Sequence, residues 1–91
     1  MYVASAEVLF HIPHATSLKV KRQASRSIIE RIRSRFNASV SEVGTQDVIQ
    51  SLTIGIAVVS ESHTKAHTYL EQILRFAECH HAAEMIGAEI H

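Results

Sequence analysis

The chain is 91 residues long, 46% hydrophobic and 20% charged, which fits a single globular domain and excludes a disordered chain. Its lone cysteine, Cys79, rules out an internal disulfide, and no apolar run approaches the roughly 18 residues of a membrane-spanning helix. The formal net charge is zero, so the protein is neither uniformly basic nor uniformly acidic, yet the charges are strongly segregated along the chain.

Residues 2–12 alternate. Tyr2, Ala4, Ala6, Val8, Phe10 and Ile12 share one face, and Val3, Ser5, Glu7, Leu9 and His11 share the other; period two predicts a strand with one buried face. Met1-Tyr2-Val3-Ala4 has no basic region, and the apolar stretch is broken by Ser5 and Glu7. A signal peptide is therefore not expected, and the expected compartment is the cytoplasm. Pro13 ends the strand, and Ser17 is placed to cap a helix beginning at Leu18.

Over 18–36, Leu18, Ala24, Ile28, Ile29, Ile32 and Phe36 recur at threes and fours, giving the apolar stripe of a helix that Asn37 is suited to stop. Residues 38–43 alternate again, and 44–47 read as a turn. Residues 49–59 form a strong strand, with Leu52, Ile54, Ile56 and Val58 inward and Ser51, Thr53, Gly55, Ala57 and Val59 outward. Ser60 or Ser62 caps a second helix over 62–80, where Ala66, Leu70, Ile73, Leu74 and Ala77 make the core stripe. A last strand covers 84–91, with Ile86, Ala88 and Ile90 alternating with Met85, Gly87 and Glu89. The order β-α-β-β-α-β, with right-handed crossovers, has one simplest solution. It is an α+β, ferredoxin-like split βαβ sandwich: a single domain over 1–91 with a four-stranded antiparallel sheet and two helices on one face.

The first helix holds the charge. Lys19, Lys21, Arg22, Arg26, Arg31, Arg33 and Arg35 are opposed there only by Glu30, seven positive against one negative or +6. The rest of the chain sets Lys65 and Arg75 against eight acids, or −6. At 100° per residue, Lys19, Arg22, Arg26 and Arg33 fall within an arc of about 60°, while Arg31 and Arg35 take the opposite flank. Lys21 projects toward the apolar side near the helix start, where its stem can snorkel. Cations in the last turn suit the helix dipole, which accounts for Arg31, Arg33 and Arg35 but not for Lys19, Lys21 and Arg22. The expectation is a phosphate-contacting surface made by Lys19, Lys21, Arg22, Arg26 and Arg33. The competing structural reading is a solvated helix face on which Glu30 bridges Arg26 and Arg33.

Four stretches carry a family resemblance. His11-Ile12-Pro13-His14-Ala15-Thr16-Ser17-Leu18-Lys19-Val20-Lys21-Arg22, Arg35-Phe36-Asn37-Ala38-Ser39-Val40-Ser41-Glu42-Val43 and Gln46-Asp47-Val48-Ile49-Gln50 resemble segments of the YlxP-like bacterial domain of unknown function. Gly55-Ile56-Ala57-Val58-Val59-Ser60 is similar to its third strand. Val20, Gln23 and Ile49 depart from the family, which carries an acidic residue, a basic residue and a tryptophan there. The resemblance implies a small ferredoxin-like protein without an established activity. It also implies a chromosomal setting near translation initiation and ribosome maturation factors, and hence ribosomal RNA or a ribonucleoprotein as the expected partner.

Other constellations are weaker. The outward sheet face has no Phe, Tyr or Trp on its two central strands, and Glu7 opposes phosphate there, which argues against base stacking on the sheet. The same small, partly apolar face suits packing against a second copy, so a homo-oligomer is the alternative reading; a small-ligand sensor with a pocket between sheets or subunits is a third. His63 and His67 have a metal-sharing i, i+4 spacing but no second pair, His11 and His14 flank Pro13, and Cys79-His80-His81 ends the second helix. No metal site or cofactor is expected from those spacings. Glu42 and Asp47 flank a turn, a pairing too common to indicate catalysis. With no Gly-rich phosphate loop, HExxH or GxSxG motif, catalytic residues and an enzymatic role are not expected either.

Overall fold

A computed structural model describes every residue except His81. The elements run β1 (Tyr2–His11), α1 (Leu18–Arg35), β2 (Ser39–Gly44), β3 (Ser51–Ser60), α2 (His63–Glu78) and β4 (Glu84–Ile90). The sheet order is β2-β3-β1-β4, and each neighbouring pair is antiparallel. This is the expected ferredoxin-like sandwich, with boundaries within two residues of the sequence reading. The strand expected from residue 49 begins at Ser51, because Ile49 and Gln50 belong to the turn.

Local chemistry explains each boundary. Ser17 Oγ accepts from the Val20 N–H at 3.2 Å and Ser62 Oγ from the Lys65 N–H at 3.0 Å, so a serine caps each helix. Gln50 fastens the loop between β1 and α1, donating to the carbonyls of Pro13 (3.3 Å) and Ala15 (3.2 Å). Its own carbonyl accepts the Ile12 N–H at 3.0 Å.

The core lies between the helices and the inward sheet face. Val8 and Ile54 pair across strands, as do Phe10 and Leu52, and all four are buried under α2 residues such as Leu70 and Ile73. Each such side chain contributes roughly 1.5–3 kcal/mol by leaving water. Ile28 and Ile32 of α1 complete this cluster. Phe36 stands edge-on to both Tyr69 and Phe76, at 5.6 and 5.5 Å between ring centroids.

Two bulges shape the sheet edges. In β2 the register slips between Glu42 and Gly44, leaving Val43 unpaired on the outer face. A Cβ at Gly55 would lie 2.7 Å from Val43 Cγ1, so only glycine admits this close approach. In β4 the slip falls opposite Leu9 and Phe10, and Ile86 is the unpaired residue. Ile86 is therefore 57% exposed, while Met85, across from Phe10, packs against the core.

Candidate functional site

The edge strand β2 and the helix α1 together build the cationic side of the molecule. Val40 and Glu42 pair with the inward residues Ile56 and Ile54, so the parity of β2 aims Glu42 toward the helix layer. An inward carboxylate on an edge strand discourages edge-to-edge pairing but needs a counter-charge. Lys21 supplies it. Its side chain is 1% exposed, and its ammonium lies 3.3 Å from Glu42 Oε2. That oxygen is sealed from solvent and receives no aligned hydrogen bond, but Coulomb attraction needs no alignment, and the contact is an ion pair. Ser25 donates to the other oxygen, Oε1, at 3.3 Å.

Lys21 also donates to the carbonyl of Thr45. Thr45 is the only non-glycine residue at positive φ among the described residues, at 57°, a conformation costing about 1–2 kcal/mol. Its hydroxyl donates to the Gly44 carbonyl at 2.6 Å and meets Thr53 Oγ1 at 3.1 Å. The turn is thus held by side-chain bonds on both sides.

Lys21 must accordingly be removed from the expected phosphate-contacting set. It lies on the apolar side of α1, as its helical position indicates, but its charge does not snorkel to water. It is engaged inside the fold by Glu42 and Thr45. The other four expected residues, Lys19, Arg22, Arg26 and Arg33, are exposed. Arg22, Arg26 and Arg33 line one open groove of 390 Å³ between α1 and β2, whose far wall is Val40, Ser41 and Glu42. Arg33 directs one donor to the Val40 carbonyl at 2.6 Å, covering part of the β2 edge. Among the described residues the side chains of Lys19, Arg22 and Arg26 have no hydrogen bond or ion pair within the chain. Glu30 lines the same groove but makes no bridge to Arg26 or Arg33. The remaining cations of the helix are used locally. The guanidinium groups of Arg31 and Arg35 each lie 5.0 Å from the Phe76 ring centroid, a cation–π arrangement.

From Arg22 to Arg33 the ridge runs about 16 Å along the helix axis. The arginine forks are suited to phosphate oxygens. Of the two carboxylates that line the groove, Glu42 is already neutralised by Lys21, which leaves Glu30 as the opposing charge.

The histidine and cysteine expectations resolve differently. The His63 and His67 rings stack with centroids 6.2 Å apart, and His67 faces Glu71 at 3.6 Å. Cys79 is exposed, and its thiol donates to the Arg75 carbonyl at 3.7 Å. His80 is buried, with Nδ1 accepting from the Ala82 N–H at 3.1 Å and Nε2 3.1 Å from Ser27 Oγ. Nε2 therefore carries the hydrogen in this network. His81 lies outside the described residues. Of the two carboxylates flanking the turn, Glu42 is held by Lys21.

Sequence reasoning overlooked β2 as the second wall of the groove. The signal was available: alternation with Val40 inward forces Glu42 inward, and an inward carboxylate calls for a cation on the apolar side of α1.

Comparison with known proteins matches residues 3–90 to the family model described as "Protein of unknown function (DUF503)". Over 76 residues the chain is 38% identical to the uncharacterized protein YlxP of Bacillus subtilis (strain 168), covering 84% of this chain and 83% of that protein.

Proposed function

We propose, for a chain that belongs to the DUF503 family of proteins of unknown function, that it is a non-enzymatic module binding single-stranded RNA, free or in a ribonucleoprotein. Lys19, Arg22, Arg26 and Arg33 contact the phosphates, and the strand lies along the groove between α1 and β2. One observation carries the reading: these four exposed cations form a ridge on which no carboxylate of the chain is seated among the described residues. The open sheet face is a poor RNA platform, because among the outward residues of β1 and β3 His11 is the one aromatic ring and stacking platforms need several. The module works in the cytoplasm, where an exposed thiol such as Cys79 stays reduced. Among the described residues no helix is long and apolar enough to cross a membrane.

Binding to ribosomal RNA fragments, measured at rising salt, tests the proposal. Four contacts give a slope of about −2.8 in log affinity against log salt. Arg22→Glu and Arg26→Glu each weaken binding and flatten the slope. Affinity indifferent to salt and to both substitutions overturns the reading.

A second reading, a homodimer through the open face, is favoured by one feature. Val3 and Val59 face each other across β1 and β3 on that side, 57% and 63% exposed, and Leu9 is exposed further along it. Sedimentation of the wild type against Leu9→Glu decides it; a monomer in both discards the dimer.

A further inference from the structure

The strongest unassigned cluster lies across the sheet from the basic ridge. Glu7 of β1 stands directly opposite Glu89 of β4. Two residues on, the His91 N–H continues the ladder to the Ser5 carbonyl at 2.9 Å, so Glu89 and His91 emerge on the same face. One ligand atom from each of Glu7, Glu89 and His91 lies within 4.8 Å of the other two, and His91 Nε2 is 3.8 Å from Glu7 Oε2. The three side chains rise from neighbouring hydrogen-bonded strands, so their spacing is set by the sheet.

Two like charges directly opposite each other in an antiparallel pair are destabilising. Among the described residues neither lysine nor arginine reaches Glu7 or Glu89; the imidazole of His91 is the group that faces Glu7. The cluster is therefore rich in lone pairs and short of positive charge. Ligand atoms bound at about 2.0–2.1 Å in a tetrahedral shell stand about 3.4 Å apart. All three residues are exposed, so core packing does not fix their rotamers. A second feature adjoins the cluster: Glu7 and His91 also wall a shallow hollow of 290 Å³ over the open face, floored by the small residues Ser5, Gly55 and Ala57. That hollow leaves a fourth coordination position open to water.

We propose that Glu7, Glu89 and His91 form a site for a divalent transition metal of the zinc class. One imidazole nitrogen and two carboxylates, with no thiolate, suit Zn²⁺ or Co²⁺, whereas Ca²⁺ and Mg²⁺ prefer all-oxygen shells. Spacing along the sequence does not reveal this set, because the ligands meet through the β1–β4 register. The site is on the face away from the basic groove and is independent of the RNA reading.

Titration of the full chain with Zn²⁺ by calorimetry, and with Co²⁺ by visible absorption, tests it. The expected result is one equivalent bound, with Glu7→Gln and His91→Ala each weakening affinity by about tenfold or more. His63→Ala and Cys79→Ser leave it unchanged. Thermal melts of the apo variants accompany the titration: Glu7→Gln removes a like-charge contact, so its melting temperature does not fall, and lost binding is not lost folding. Absence of binding at millimolar metal, or binding that survives both Glu7→Gln and His91→Ala, would falsify the site.

Discussion

At the β2 edge of the sheet, Glu42 points inward and meets a buried lysine. At the β4 edge, Glu89 points outward and meets Glu7, another carboxylate. The difference lies in solvent. A carboxylate turned toward the helix layer loses its hydration and must be paired, so the fold commits Lys21 to it. A carboxylate on the open face keeps its water and tolerates a like neighbour at modest cost. The same contrast separates the cations of α1. Lys21 is structural, Arg31 and Arg35 cover an aromatic ring, Arg33 spends one donor on the β2 edge, and Lys19, Arg22 and Arg26 stay exposed and unpaired among the described residues.

The largest effect is expected where a buried charge is orphaned. Lys21→Met leaves Glu42 without its counter-charge and costs about 3–5 kcal/mol, a fall in melting temperature of more than about 10 °C for a domain of this size. Adding Glu42→Gln restores most of that loss in urea or thermal unfolding. A melting temperature unmoved by the single change would show the pair to be solvated instead of buried. Next come the free cations. Replacing Arg22 and Arg26 together by Ala is expected to flatten the salt slope of RNA binding from about −2.8 to about −1.4. The Lys21→Met/Glu42→Gln pair leaves that slope where it was, which separates the structural lysine from the binding arginines.

A smaller effect belongs to the outer face. Gly55→Ala forces its Cβ against Val43 and destabilises by about 1 kcal/mol, an effect that Val43→Ala relieves; non-additive melting of the double variant checks the contact. The smallest is at the opposite edge. Glu7→Gln stabilises the metal-free chain by about 0.2–1 kcal/mol, and the gain shrinks as salt screens the carboxylates. A gain independent of ionic strength would mean that Glu7 and Glu89 do not repel each other.

Much of this was legible in the chain. Period-two runs in β1 and β3, threes and fours in the helices, and serines at both caps place six elements in order, because each signal depends on residues a few positions apart. The basic ridge is legible for the same reason, since Lys19, Arg22, Arg26 and Arg33 are brought together by helical geometry alone. Lys21 was half legible: its angle on the helix was correct, but whether its charge reached water depended on a strand 21 residues away, at Glu42. The stacking of His63 on His67 likewise escaped a reading that knew only their spacing.

The sequence by itself therefore determined the order of the elements, the buried faces of β1, β3 and the two helices, and the sign of the charge on α1, all properties of neighbours along the chain. Tertiary structure decided which of those charges are free, where the β2 wall of the groove stands, and that Glu7, Glu89 and His91 share a corner of the sheet. Those facts depend on strand register and on the two bulges, and register is set by packing between segments that the chain keeps far apart.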